Sequence, residues 1–81
     1  MKNKIEISLP LDDRKIAEIE ETLVLHEDDK LFLTKAISVL GRGVVQANKK
    51  GDHEVASKLA DILRTASINR DDLEAQDRNN Y

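Results

Sequence analysis

Lys4-Ile5-Glu6-Ile7-Ser8-Leu9-Pro10 is the stretch on which the fold turns. Ile5, Ile7 and Leu9 alternate with Lys4, Glu6 and Ser8, the period-2 pattern of an extended segment with one buried face. Pro10 closes it, because proline has no amide to give to a ladder. The pattern predicts a strand over residues 4–9. Nothing else in the chain alternates in this way, and a strand's amide and carbonyl groups need partners. Pairing with the same strand of a second copy, antiparallel about a two-fold axis, would supply them. The other reading of residues 1–9 is a flexible arm.

Beyond Pro10 the periodicity changes from two to about 3.6. Asp12 or Asp13 is placed to cap a helix over about 12–25, with Ile16, Ile19 and Leu23 on one face. His26-Glu27-Asp28-Asp29 breaks the pattern and offers a second cap. Leu33, Ala36, Ile37, Leu40, Val44 and Ala47 then make a long helical stripe, with Leu31 and Phe32 at its entry. Gly41 and Gly43 lie inside it, each costing up to ~1 kcal/mol relative to alanine; they mark a kink, a close helix crossing or the end of the helix. Gly51 after Lys49-Lys50 is a stop signal. A third helix is expected from near Asp52, carrying Val55, Leu59, Ile62, Leu63 and Ala66. From Asn69 to Tyr81 the chain is polar, which predicts a single domain over 1–68 and a mobile tail over 69–81.

Eighty-one residues allow one domain, and a chain this short gains from association with a second copy. The absence of cysteine excludes a disulfide framework and thiolate metal sites. No apolar run approaches the ~20 residues of a membrane span, and no secretory leader is visible. A cytoplasmic chain with no membrane contact is expected. The formal net charge of −3 is unevenly placed. Residues 51–81 hold Lys58, Arg64, Arg70 and Arg78 against seven acids, while residues 1–50 balance. Such an acidic end suits contact with a second protein through residues 52–81, and also simple solubility.

A strand, a first helix, a short turn and a longer second helix resemble the ribbon-helix-helix DNA-binding family, which includes plasmid repressors and many antitoxins. The likeness rests on residues 4–10, on Ile16, Ile19 and Leu23, and on Leu31-Phe32-Leu33-Thr34-Lys35-Ala36-Ile37-Ser38-Val39-Leu40; it covers about residues 4–42. It implies a mainly α homodimer, one strand followed by three helices, the last an addition to the family pattern. Ile5, Ile7, Leu9, Phe32, Leu33, Ile37 and Leu40 would form the dimer interface. Paired strands would lie in the major groove of double-stranded DNA, with Lys4, Glu6 and Ser8 facing base edges. The family anchors a phosphate at the start of the second helix. This chain departs there: Glu27, Asp28 and Asp29 occupy that place and oppose a phosphate.

Lys35, Arg42 and Lys49 recur every seven residues, so one helical face could track a phosphate backbone or an acidic partner. The alternative is a solvated face. His26-Glu27-Asp28-Asp29 and Asp52-His53-Glu54 lack the spacing of zinc or calcium sites, so no metal and no cofactor are expected. Ser38, Ser57 and Ser67 have no triad context, and an enzyme is not expected. Phe32 and Tyr81 are too few aromatics for a single-strand binder. Two functions follow: a dimeric DNA-binding regulator, or a protein-binding module such as an antitoxin, an adaptor or a small inhibitor of phage or plasmid type. The amphipathic stretch 55–66 would dock in the partner of the second.

Overall fold

The computed structural model describes residues 5–79, with side chains described as far as Asp77. Three helices account for most of them: α1 (Asp13–Leu25), α2 (Lys30–Lys49) and α3 (His53–Asn79). The chain is mainly α, as its periodicity predicts.

Each boundary has a local cause. Asp12 is extended and its carboxylate accepts the Lys15 amide at 2.8 Å, capping α1. Asp29 does the same for α2, accepting from the Phe32 amide at 3.0 Å. Between them the ring of His26 stacks on Phe32 at 4.2 Å between centroids. α2 ends in a Schellman motif: Gly51 has φ +78°, its amide donates to the Asn48 carbonyl at 3.1 Å, and the Asp52 amide donates to the Ala47 carbonyl at 2.9 Å. The glycines at 41 and 43 neither end nor divide α2.

α2 and α3 form an antiparallel pair that holds most of the core. Leu33 and Leu40 from α2 and Leu59 from α3 are its largest fully buried side chains. The small residues Ala36, Gly43, Ala47, Ala56 and Ala66 are also buried, which brings the two helices close together. Lys30 at the start of α2 meets Asp77 near the end of α3 at 2.9 Å, fixing their opposite sense. α1 runs beside α3 in the same sense, with Asp13 joined to Lys58 at 2.8 Å. α1 touches α3 far more sparsely than α2 does. The result is elongated, 47 × 25 × 15 Å, with α3 running most of its length.

The expected N-terminal strand is absent: residues 5–12 carry no regular secondary structure, and no strand occurs among the described residues. The alternation is nevertheless used. Ile5 is buried, Ile7, Leu9 and Leu11 pack against the core, and Glu6, Ser8 and Pro10 face outward. The buried row lies on the helices of its own chain, so its apolar side needs no second strand to cover it. Gly43 makes the seat: a Cβ added there would stand 3.0 Å from Cδ1 of Ile7 and 3.2 Å from Cδ1 of Leu59. A close approach is therefore why this glycine sits within a helix.

The third helix also differs from expectation. It continues past residue 68 to Asn79 instead of giving way to an irregular tail. Arg70, Leu73, Glu74, Ala75 and Gln76 are good helix formers with no glycine or proline among them. Leu73 packs against the core and Asp77 pairs with Lys30, so the added turns have tertiary support. Asn80 and Tyr81 lie outside the described residues.

Candidate functional site

The alternation of apolar residues on α1 turns Ile16, Ile19 and Leu23 inward. Ala17, Glu20 and Val24, each one step around the helix, fall along its flank. On α3, Ile62 and Ala66 are buried, while Lys58, Asp61, Thr65 and Asn69 stand beside them at i, i+3, i+7 and i+11, which places them along one edge. The two flanks enclose a groove of about 510 Å³. Ile16, Leu23, Ile62 and Ala66 form an apolar floor, and Val24 lines the groove while remaining 64% exposed. Leu25, next in sequence, is 80% exposed.

The groove is lined by three carboxylates, Asp13, Glu20 and Asp61, and one ammonium, Lys58. Lys58 is already engaged. Its Nζ donates to Asp13 at 2.8 Å and lies 3.5 Å from Glu54. The hydrogen bond and charge of Lys58 lower the Asp13 pKa below its ordinary value of 3.8. The same hydrogen bond, with the charges of Asp13 and Glu54, raises Lys58 above 10.5. Glu20 on α1 and Asp61 on α3 have no cation partner among the described residues. No basic residue lies in the last turn of α1 to offset the negative end of its dipole.

The residues singled out in the sequence are distributed elsewhere. Lys4 lies outside the described residues. Glu6 and Ser8 are exposed on the N-terminal segment. Leu33 and Leu40 are wholly buried within one chain, Ile5 and Phe32 nearly so, and Ile7, Leu9 and Ile37 pack against the same core. Burial of this set is thus complete or well advanced without a dimer. Lys35, Arg42 and Lys49 are exposed on α2, and none joins an ion pair among the described residues. α2 contains no acid at all. Its N-terminal amides are partly taken by Asp29, which fills the place a phosphate would need.

The apolar face expected to dock into a partner needs correction. Val55, Leu59, Ile62 and Ala66 are buried inside their own chain, because α2 and α1 already cover that side of α3. What remains open is the edge beside this face. Sequence periodicity named Ile16, Leu23, Ile62 and Ala66 as inward residues, but not that α1 would lie far enough from α3 to leave a groove. The apolar pair Val24-Leu25, off the face of Ile16, Ile19 and Leu23 at the end of α1, was the available signal.

Among the described residues no group of three His, Cys, Asp or Glu is placed to hold a metal ion. No described helix is long and apolar enough to cross a membrane. Compared with protein-family models, curated proteins and solved structures, the chain matches none.

Proposed function

We propose that this chain is a small protein-binding module, of adaptor, antitoxin or inhibitor kind, that receives a partner in the groove between α1 and α3. One observation carries this reading. The chain buries nearly every apolar stripe it has, including the N-terminal one, yet a groove remains over the buried Ile16, Leu23, Ile62 and Ala66, and Val24 on its wall stays 64% exposed. Covering Val24 and seating a partner's apolar side chains in the groove is worth about 25 cal/mol per Å² removed from water, and none of the chain's described segments takes that place. The proposed action is binding, without catalysis.

The test is site-directed photo-crosslinking in extracts of the native host. A photoreactive residue replacing Ala17 or Thr65 should trap one defined protein, and the same group at Gln46 on the far side of α2 should not. Capture only from Gln46 would move the interface off the groove and end the proposal.

A second reading has its own observation. The acid-free outer side of α2 presents Lys35, Arg42 and Lys49 with no ion-pair partner among the described residues, as a DNA regulator would require. Under it, the chain binds double-stranded DNA at low salt, and replacing the three by alanine lowers the salt slope by about 0.9 for each phosphate no longer neutralised. The ribbon form of that reading further requires Lys4, Glu6 and Ser8 to read bases from paired strands. Residues 5–9 would first have to leave the core.

A further inference from the structure

From the chemistry of the groove we infer its occupant: a basic amphipathic helix of a different polypeptide, with apolar residues along one face and Lys or Arg on both shoulders. The inference rests on the protein-binding reading and adds partner chemistry to it.

The charge pattern is the first argument. Lys58 is held by Asp13 and Glu54, so the groove's one cation is already neutralised. Glu20 on one wall and Asp61 on the other have no cation partner among the described residues and flank the apolar floor. The nearby cations lie elsewhere: Arg14, Lys15 and Arg64 do not line the groove, and Lys35, Arg42 and Lys49 are on α2. The C-terminal end of α1, with no basic residue of its own, adds a negative dipole end beside Val24. A ligand satisfying this site is apolar in its centre and positive on two sides.

The shape is the second argument. The walls are two helices running in the same sense, bounded by the Asp13–Lys58 pair at one end and by Val24 and Asn69 at the other. Eleven residues of α1 separate those ends, roughly 16 Å at 1.5 Å per residue, or three turns of a docked helix. Apolar side chains at i, i+3 or i+4, and i+7 would reach the floor, as in other helix-in-groove complexes.

A second copy of this chain is the wrong occupant on two counts. A two-fold contact of groove with groove would bring Glu20 and Asp61 against their own images. Insertion of another copy's α2, whose outer side carries Leu31, Lys35, Arg42 and Val45, would, unless reciprocal about a two-fold axis, be a heterologous contact that builds rings or open chains instead of a dimer.

The experiment uses the full chain and three labelled peptides followed by fluorescence anisotropy. One is a helical peptide with leucines along one face and lysines on both shoulders; the second has glutamates replacing the lysines; the third scrambles the first. The lysine peptide should bind about fivefold or more tightly than the glutamate peptide, as two exposed ion pairs allow. High salt and the double variant Glu20→Gln/Asp61→Asn should each close that gap, with circular dichroism unchanged. Ala17→Trp, which fills the groove, should abolish binding of both.

Equal affinity for the lysine and glutamate peptides would overturn the inference and leave the protein-binding reading intact. If neither amphipathic peptide binds better than the scrambled one, the groove is not a helix site and both fail. If light scattering of the chain alone finds an oligomer that Ala17→Trp dissociates, the occupant is a second copy and the inference is wrong.

Discussion

Two glycines in one helix show how far a residue's role depends on its neighbours. Around Gly41 an added Cβ meets nothing within 4 Å, so Gly41→Ala should raise stability by up to about 1 kcal/mol through helix propensity alone. Gly43→Ala gains the same propensity but drives a methyl against Ile7 and Leu59. Leu59 is fully buried and cannot withdraw, so Ile7 must shift. Urea unfolding should place Gly43→Ala below Gly41→Ala by roughly 1 kcal/mol or more, in the range of overpacking costs. Equal stabilities would mean that Ile7 is not seated on Gly43. Gly51 is the third case, with φ +78°, where alanine would be strained by about 1 kcal/mol even though space is open.

At the scale of elements, caps and ion pairs decide where helices start and how they are pinned. Asp12→Ala and Asp29→Ala each remove a carboxylate that satisfies a first-turn amide, and thermal or urea unfolding should show losses of about 0.5–2 kcal/mol apiece. The Asp13–Lys58 pair pins the start of α1 to α3 and sets a pH window. Asp13 has its pKa depressed below 3.8 in the fold, so the pair stabilises above that value and its contribution is lost as pH falls through the folded pKa. Lys58 is raised above 10.5, and its contribution is present below that value and lost as pH rises through the folded one. Melting temperatures of wild type and Asp13→Asn should therefore differ across the middle pH range and converge in strong acid. A difference that persists unchanged in strong acid would detach the pair from the packing of α1. Lys30, raised by its hydrogen bond to Asp77, ties α2 to the extension of α3 in the same manner. Ending the chain after Ile68 should then cost stability as well as helix content, since Leu73 and Asp77 go with it.

For the whole molecule, the separation of charge is the feature with functional reach. α2 carries Lys30, Lys35, Arg42 and Lys49 and no acid, whereas the α1–α3 groove presents Glu20 and Asp61 with no cation partner among the described residues. The two faces should respond to salt in different assays: peptide capture through the groove, DNA retention through α2. Charge reversal at Glu20 should impair the first and leave the second unchanged. Reversal at Arg42 should do the opposite. A molecule in which both substitutions weaken the same partner would have one continuous interface, and the groove would be only its edge.

Composition and periodicity by themselves determined the helical class, the stretches that hold the two caps, the stop signal at Gly51 and the inward faces of α1 and α2, while the structure chose Asp12 and Asp29 as the capping residues. Those features are local: a carboxylate three residues before an amide, or an apolar residue every third or fourth position, acts through neighbours in the chain. Periodicity also showed which side of residues 5–9 is apolar, but not what covers it. The same alternation serves a strand in a ribbon and an irregular segment lying on helices, and only the space opened by Gly43 selects the second. Likewise the polarity of residues 69–79 concealed a helix held by Leu73 against the core and by Asp77, whose partner Lys30 lies 47 residues away. The groove is the extreme case. It is a gap between α1 and α3, set by how closely α1 approaches α3, and no residue taken alone records that distance.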